Sequence, residues 1–230
     1  MTRDDRGIII KKRTVQTDMK WLYAIERKMG RHYISDLMKY LVIAMAGVFI
    51  LEFMPLPRSA FQVLRFDRAA ILQGQIWRIF TFILLPPTGS IFWIVISLYF
   101  YYFLGSTLEH QWGSARFNLY YLIGVIGNII SGMITGYATN EFLNLSLLLA
   151  FAALYPDTEF MLFFFLPVKA KWIGLIDGLF LIYQLIILPW QYKLTIVISM
   201  LPFLLFFGGQ AWLLLRMEYR RLRHWFITHR

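Results

Sequence analysis

Long apolar stretches alternate along this chain with short polar or charged breaks. Six of them stand out: Leu37–Met54, Ser90–Leu108, Phe117–Ala138, Phe142–Tyr155, Ile173–Leu188 and Leu194–Leu215. Most approach the roughly 18–20 residues that a helix needs to cross a hydrocarbon core of ~30 Å. The pattern predicts an all-α, polytopic membrane protein, a bundle of six transmembrane helices. Residues 1–36 would form a basic cytoplasmic segment, 37–215 the membrane domain and 216–230 a basic cytoplasmic tail.

Three places depart from simple alternation. The fourth stretch, Phe142–Tyr155, has 14 residues, which as a helix reach only ~21 Å. Non-helical backbone at membrane depth must be buried in protein or line a wet cavity. The start of this helix is therefore expected to open into a water-filled indentation on the external side, with Asn140, Glu141, Asn144 and Ser146 around it. The first connection, Pro55–Gly89, is long and rich in Phe, Leu and Ile, which suits a segment half sunk in the outer leaflet better than a solvated loop. The run FMLFFFLP at 160–167 reaches only ~12 Å as a helix, so it is expected to lie in or beneath the interface.

Composition agrees: 59% of residues are hydrophobic and the mean hydropathy is +0.58. The net charge of +10 raises nucleic acid as a partner, but its distribution points to membrane orientation. With six spans, 18 of the 23 lysines and arginines fall on one side. The excess of basic residues on cytoplasmic loops places both termini in the cytoplasm, and a bacterial plasma membrane is the expected location. No signal-peptide pattern precedes the first span, so insertion through that span without cleavage is expected. Met19–Met29 reads as an amphipathic helix on the membrane surface, and both basic termini suit anionic lipid. With no cysteine in the chain there is no thiolate nucleophile and no cysteine metal site. No cofactor or metal is expected.

Within the spans, GNIISGMITG offers Gly132 and Gly136 as a GxxxG pair, extended by Gly124, Gly127 and Ser131, a face for close helix packing. Asp177 is the one acid well inside a span, four residues beyond Ile173. A helix-end polar contact competes there with a substrate or proton role. Ser146 stands with Ala150 and Ala153 at i, i+4 and i+7, a small-residue stripe able to receive a neighbour such as the sixth helix at Gly208-Gly209. A reactive hydroxyl at Ser146 is the other reading.

Two motifs are more specific. Residues 74–81 read GQIWRIFT and 104–117 read LGSTLEHQWGSARF. A guanidinium can tie several loop carbonyls together inside an apolar loop. A carboxylate at a helix end can hold the adjoining connection, and a glycine such as Gly113 permits a tight turn. In Gln75, Trp77, Arg78 and Thr81, followed by Gly105, Glu109, Gly113, Ser114, Arg116 and Phe117, the chain resembles the rhomboid superfamily. The resemblance covers roughly Phe53 to Leu215 and weakens after Tyr155. It implies a six-helix bundle with a membrane-dipping first loop.

The resemblance also implies a Ser–His dyad, the serine in a Gly-x-Ser-Gly at the start of the fourth span and the histidine in the sixth. A further His and Asn near the start of the second span would bind the oxyanion. Here those oxyanion positions fall near Trp93 and Ser97. The nucleophile position falls near Glu141, about five residues before Ser146. The histidines are His32, His110, His224 and His229, none within a predicted span. Pro202-Phe203 stands where the family histidine is expected. A serine without a base is a poor nucleophile. The expectation is therefore a non-catalytic rhomboid-like protein, with no catalytic residue, that recognises integral membrane proteins as an adaptor, chaperone or quality-control factor. The resemblance allows clients to be delivered to an ATP-dependent membrane protease. A transporter or small-molecule binder built on the external cavity and Asp177 is the alternative, and a divergent intramembrane serine protease the second.

Overall fold

A computed structural model describes residues 27, 33–55, 58–87, 90–162 and 166–208. The surface helix expected at Met19–Met29, apart from Arg27, and the basic tail lie outside the described residues, as does Gly209. The chain divides into two compact units, Ile34–Phe203 and a second made of Met1–Tyr33 with Leu204–Arg230. Ile34–Phe203 holds every element labelled below.

Its helices are α1 (Leu37–Glu52), the short α2 (Ala60–Leu64), α3 (Arg68–Leu72) and α4 (Arg78–Thr81), then α5 (Ile91–Trp112), α6 (Ser114–Thr135), α7 (Glu141–Leu154), α8 (Ala170–Ile187) and α9 (Trp190–Ser199). Helical structure occupies all six predicted segments. Three helices, α5, α6 and α8, are long and apolar enough to cross a membrane, and a fourth span results if α9 and Leu201–Gly208 count as one broken helix bent by 41°. That break divides the sixth segment, expected to be continuous. Pro202 lacks the N–H that would bond one turn back, so the helix cannot run through it unbroken.

One small hairpin interrupts the otherwise helical fold. Residues Glu159–Leu162 (β1) and Leu166–Lys169 (β2) pair as an antiparallel hairpin, Glu159 opposite Lys169 and Met161 opposite Pro167. This is the FMLFFFLP stretch. Eight residues of Phe, Leu, Met and Pro are too few for a stable isolated helix, and aromatic residues pack well on a pleated surface. Phe160 places its ring 5.4 Å from Phe100 and 5.4 Å from Phe151, tying the hairpin to α5 and α7.

Small residues set the helix contacts. A Cβ at Gly105 would collide with Met38, one at Gly124 with Leu143, one at Gly127 with Ile198 and one at Gly174 with Ala152. These pairs bring α1 against α5, α6 against α7 and α9, and α8 against α7. Close approach of this kind replaces a hydrophobic driving force, which lipid does not supply. Gly136 is not part of it. Helix α6 ends at Thr135, and Gly136 turns the chain at φ 83° with its N–H on the Gly132 carbonyl. A left-handed helix end is the usual place for glycine.

Hydroxyls and amides reinforce the α6–α9 seam. Ser199 donates to the Asn128 side-chain oxygen at 2.8 Å, and the Ser131 and Thr195 hydroxyls meet at 2.9 Å. All four residues are buried.

Helix α8 is the opposite case. Only Ala170, Gly174, Asp177 and Leu181 are buried on it, one stripe at helical spacing. Most of the rest, including Trp172, Ile176, Phe180 and Ile186, is exposed and apolar, as a lipid-facing helix should be.

Candidate functional site

The first connection is built inside out. Arg78, which opens α4, is buried. Its Nε donates to the Gln75 side-chain oxygen at 2.7 Å, and its Nη1 donates to the carbonyls of Gln62 at 2.8 Å and Arg65 at 2.9 Å. The Thr81 hydroxyl donates to the Leu64 carbonyl at 2.8 Å and the Trp77 indole to that of Val63 at 3.3 Å. Three side chains from one short motif, with Gln75 holding Arg78, thus gather the carbonyls around α2. The outer face carries Leu72, Ile76, Trp77 and Phe80, all exposed. Polar groups inside with large apolar groups outside is the arrangement of a segment bathed in lipid, where backbone must be satisfied internally.

Both ends of this connection are anchored. The Glu52 carboxylate accepts from the Ser59 hydroxyl at 2.7 Å and the Phe61 N–H at 3.1 Å. At the far end the Asn140 amide donates to the carbonyls of Ile83 at 2.7 Å and Leu85 at 2.9 Å. Arg68 donates to the carbonyls of Met133 and Ile134, each at 3.2 Å. These are orphan acceptors at the end of α6, where a cation also meets the negative pole of the helix.

The second motif closes the opposite end. Glu109 is buried on the last turn of α5. Its carboxylate accepts the N–H of Asp36 at 2.7 Å. It holds the start of α1, 73 residues away in sequence. Asp36 stands at φ 56°, a left-handed conformation that costs a non-glycine residue energy. Asn118 clamps the same strand of chain from α6, accepting from the Ile34 N–H at 3.0 Å and donating to the Ile34 carbonyl at 2.8 Å. Gly113 joins α5 to α6 at φ 85°, the turn only glycine takes freely. Arg116 is half-buried on the first turn of α6.

The cavity residues divide. Trp93 is exposed on α5, edge-on to Phe92. Ser97 is half-buried one turn further on. Asn140 is committed to the first connection, while Glu141 opens α7 and is exposed. Tyr137 and Thr139 stand beside it. Burial, with the Glu141 charge adding, holds the Tyr137 phenol above its usual pKa.

Ser146 is fully buried. Its hydroxyl donates to the Leu143 carbonyl at 2.6 Å and accepts from the Tyr120 hydroxyl at 2.9 Å. Its packing neighbour is therefore Tyr120 on α6. Of the small residues that follow Ser146 at helical spacing, Ala150 is buried and Ala153 exposed. Asp177 sits deeper than its sequence position implied. Helix α8 starts at Ala170, which puts Asp177 two turns in and buried. Asn144 is buried beneath Glu141. Among the described residues no group of His, Asp or Glu is arranged to hold a metal ion.

Sequence reading missed Glu52, Asn118, Tyr120, Asn128, Thr195 and Ser199. The available signal was the i, i+4 spacing of Thr195 and Ser199 in an otherwise apolar helix. Their partners on α6 have no local signature.

No curated protein matches the chain. The Rhomboid domain family model matches residues 73–201, starting just before the Arg78 motif, taking in Glu109 and Gly113 and ending in the broken sixth segment. It covers more than half of the chain, and the protein belongs to the rhomboid family.

Proposed function

We propose that the protein is a non-catalytic rhomboid that recognises other membrane proteins. The state of Ser146 carries this reading. Its hydroxyl hydrogen is used on the Leu143 carbonyl and its lone pair is met by Tyr120, a hydroxyl and not a base. A serine nucleophile needs an adjacent base within hydrogen-bond reach and donors placed for the developing oxyanion. No histidine occurs anywhere between His110 and His224, and Thr195 and Ser199 of α9 are used on α6. His110 is exposed on α5, with its Nδ1 2.7 Å from the Ser106 carbonyl.

Client binding is supported by surface chemistry. The outward apolar face of the first connection and the nearly bare helix α8 offer lipid-level surfaces for a partner helix. The short α7 and the submerged first connection favour local bilayer thinning, which lowers the cost of polar residues in a client's membrane helix. On this reading clients are retained, chaperoned or passed to an ATP-dependent membrane protease, in a bacterial plasma membrane with both termini cytoplasmic.

Photocrosslinkers placed at Phe80 and Ile176 in the native membrane provide the test. Recovery of a defined set of membrane proteins is expected. Recovery of lipid alone at both sites sinks the proposal.

A further inference from the structure

One group of buried side chains is left unused by the hydrogen bonds of the bundle. Tyr121 on α6, Asn144 on α7 and Asp177 on α8 are 4%, 1% and 6% exposed. The Tyr121 hydroxyl, both amide atoms of Asn144 and Oδ2 of Asp177 have no hydrogen-bond partner among the described residues. Tyr101 on α5 connects them. Its hydroxyl lies beside the Asn144 amide and within electrostatic reach of Asp177 and Glu141. Tyr121 is in turn within reach of Tyr101. Four helices thus turn polar groups toward one another, and Glu141 stands exposed at the nearest helix end.

Charge decides what such a group can take. One carboxylate lies at the mouth and one at depth, with phenol and amide oxygens between. On the four helices the basic residues are His110, Arg116 and Lys171, all in the terminal turns around Trp112, Ser114 and Ala170. Lys171 pairs with Asp157 at 3.6 Å. Burial acts on Asp177, and no countercharge does. An ionised carboxylate in a low-dielectric interior needs a compensating charge. One deep carboxylate matches one positive charge, and hard oxygen donors suit an alkali ion or an ammonium rather than a soft metal.

We propose that Tyr101, Tyr121, Asn144 and Asp177 form an oxygen-lined site for a single small monovalent cation, reached past Glu141. The cation is either an alkali metal ion or a protonated primary amine; the site needs only the compact positive charge they share. It does not depend on the non-catalytic reading, since neither Ser146 nor a client takes part.

The test uses the full chain purified in nanodiscs, with thermal unfolding followed by tryptophan fluorescence. Sodium, potassium and methylammonium chloride are compared at constant ionic strength against bulky N-methyl-D-glucamine. A saturable rise of several degrees in at least one small cation is expected. A rise with sodium or potassium alone assigns a metal ion, and one with methylammonium alone an amine. Asp177→Asn should abolish the rise. Glu141→Gln, at an exposed position that folding tolerates, should keep its full size but require several-fold more cation. Equal midpoints in all salts, a rise that survives Asp177→Asn, or an unchanged concentration dependence in Glu141→Gln would overturn the proposal.

Discussion

The first connection and the α5–α8 junction both hide polar side chains in apolar surroundings, yet they do so in opposite ways. Around Arg78 the guanidinium, the Thr81 hydroxyl and the Trp77 indole all find acceptors in nearby turns, and the outer face is handed to lipid. Around Asp177 the acceptors outnumber the donors and several buried atoms remain unbonded. A satisfied buried network holds structure together, and its loss is costly. An unsatisfied one contributes little to stability and invites a ligand. The first region is scaffold, and the second is where a site would be found.

That contrast can be broken by substitution. The largest effect is expected for Arg78→Met, which keeps the bulk but strands the Gln75 side chain and two part-buried carbonyls. Unfolding in mild detergent should come earlier by about 3 kcal/mol, read by denaturant titration. Gly105→Val is expected to cost about 1–3 kcal/mol through overpacking against Met38, with the α1–α5 contact loosened in crosslinking. Ser146→Ala should cost about 1 kcal/mol, one hydrogen bond from Tyr120, because Tyr120 also donates to the Ser146 carbonyl at 3.0 Å. The smallest change is expected for Asp177→Leu in cation-free buffer. Removal of an uncompensated buried carboxylate should leave stability unchanged or raise it by about 1 kcal/mol. Equal losses for Arg78→Met and Asp177→Leu would erase the distinction between the two regions.

How much of this was legible beforehand follows the same division. Arg78, Thr81 and Gln75 were readable because the motif and its acceptors lie within 17 residues, so local spacing carries the geometry. Gly113 was readable because a tight turn between two helices demands it. Glu109 was recognised, but its partner Asp36 is remote in sequence and no local pattern points there. The α6–α9 seam was invisible for the same reason, since hydroxyls that bond across helices look like ordinary small residues. Asp177 was noticed but set too near the helix end, because the apolar run begins at Ile173 while the helix starts at Ala170. Lys171 and Trp172 continue helical backbone without continuing the apolar pattern. The hairpin was missed because short apolar runs fit strand and interfacial helix equally well. The broken sixth segment was legible in Pro202, whose presence weighed less than the apolar residues around it.

The most direct test concerns Ser146. The purified protein, incubated in nanodiscs with a fluorophosphonate beside a competent rhomboid protease, would be examined by intact mass and peptide mapping. The expected result is a labelled control and an unmodified Ser146. A phosphonate adduct on Ser146, absent from Ser146→Ala, would contradict the non-catalytic reading.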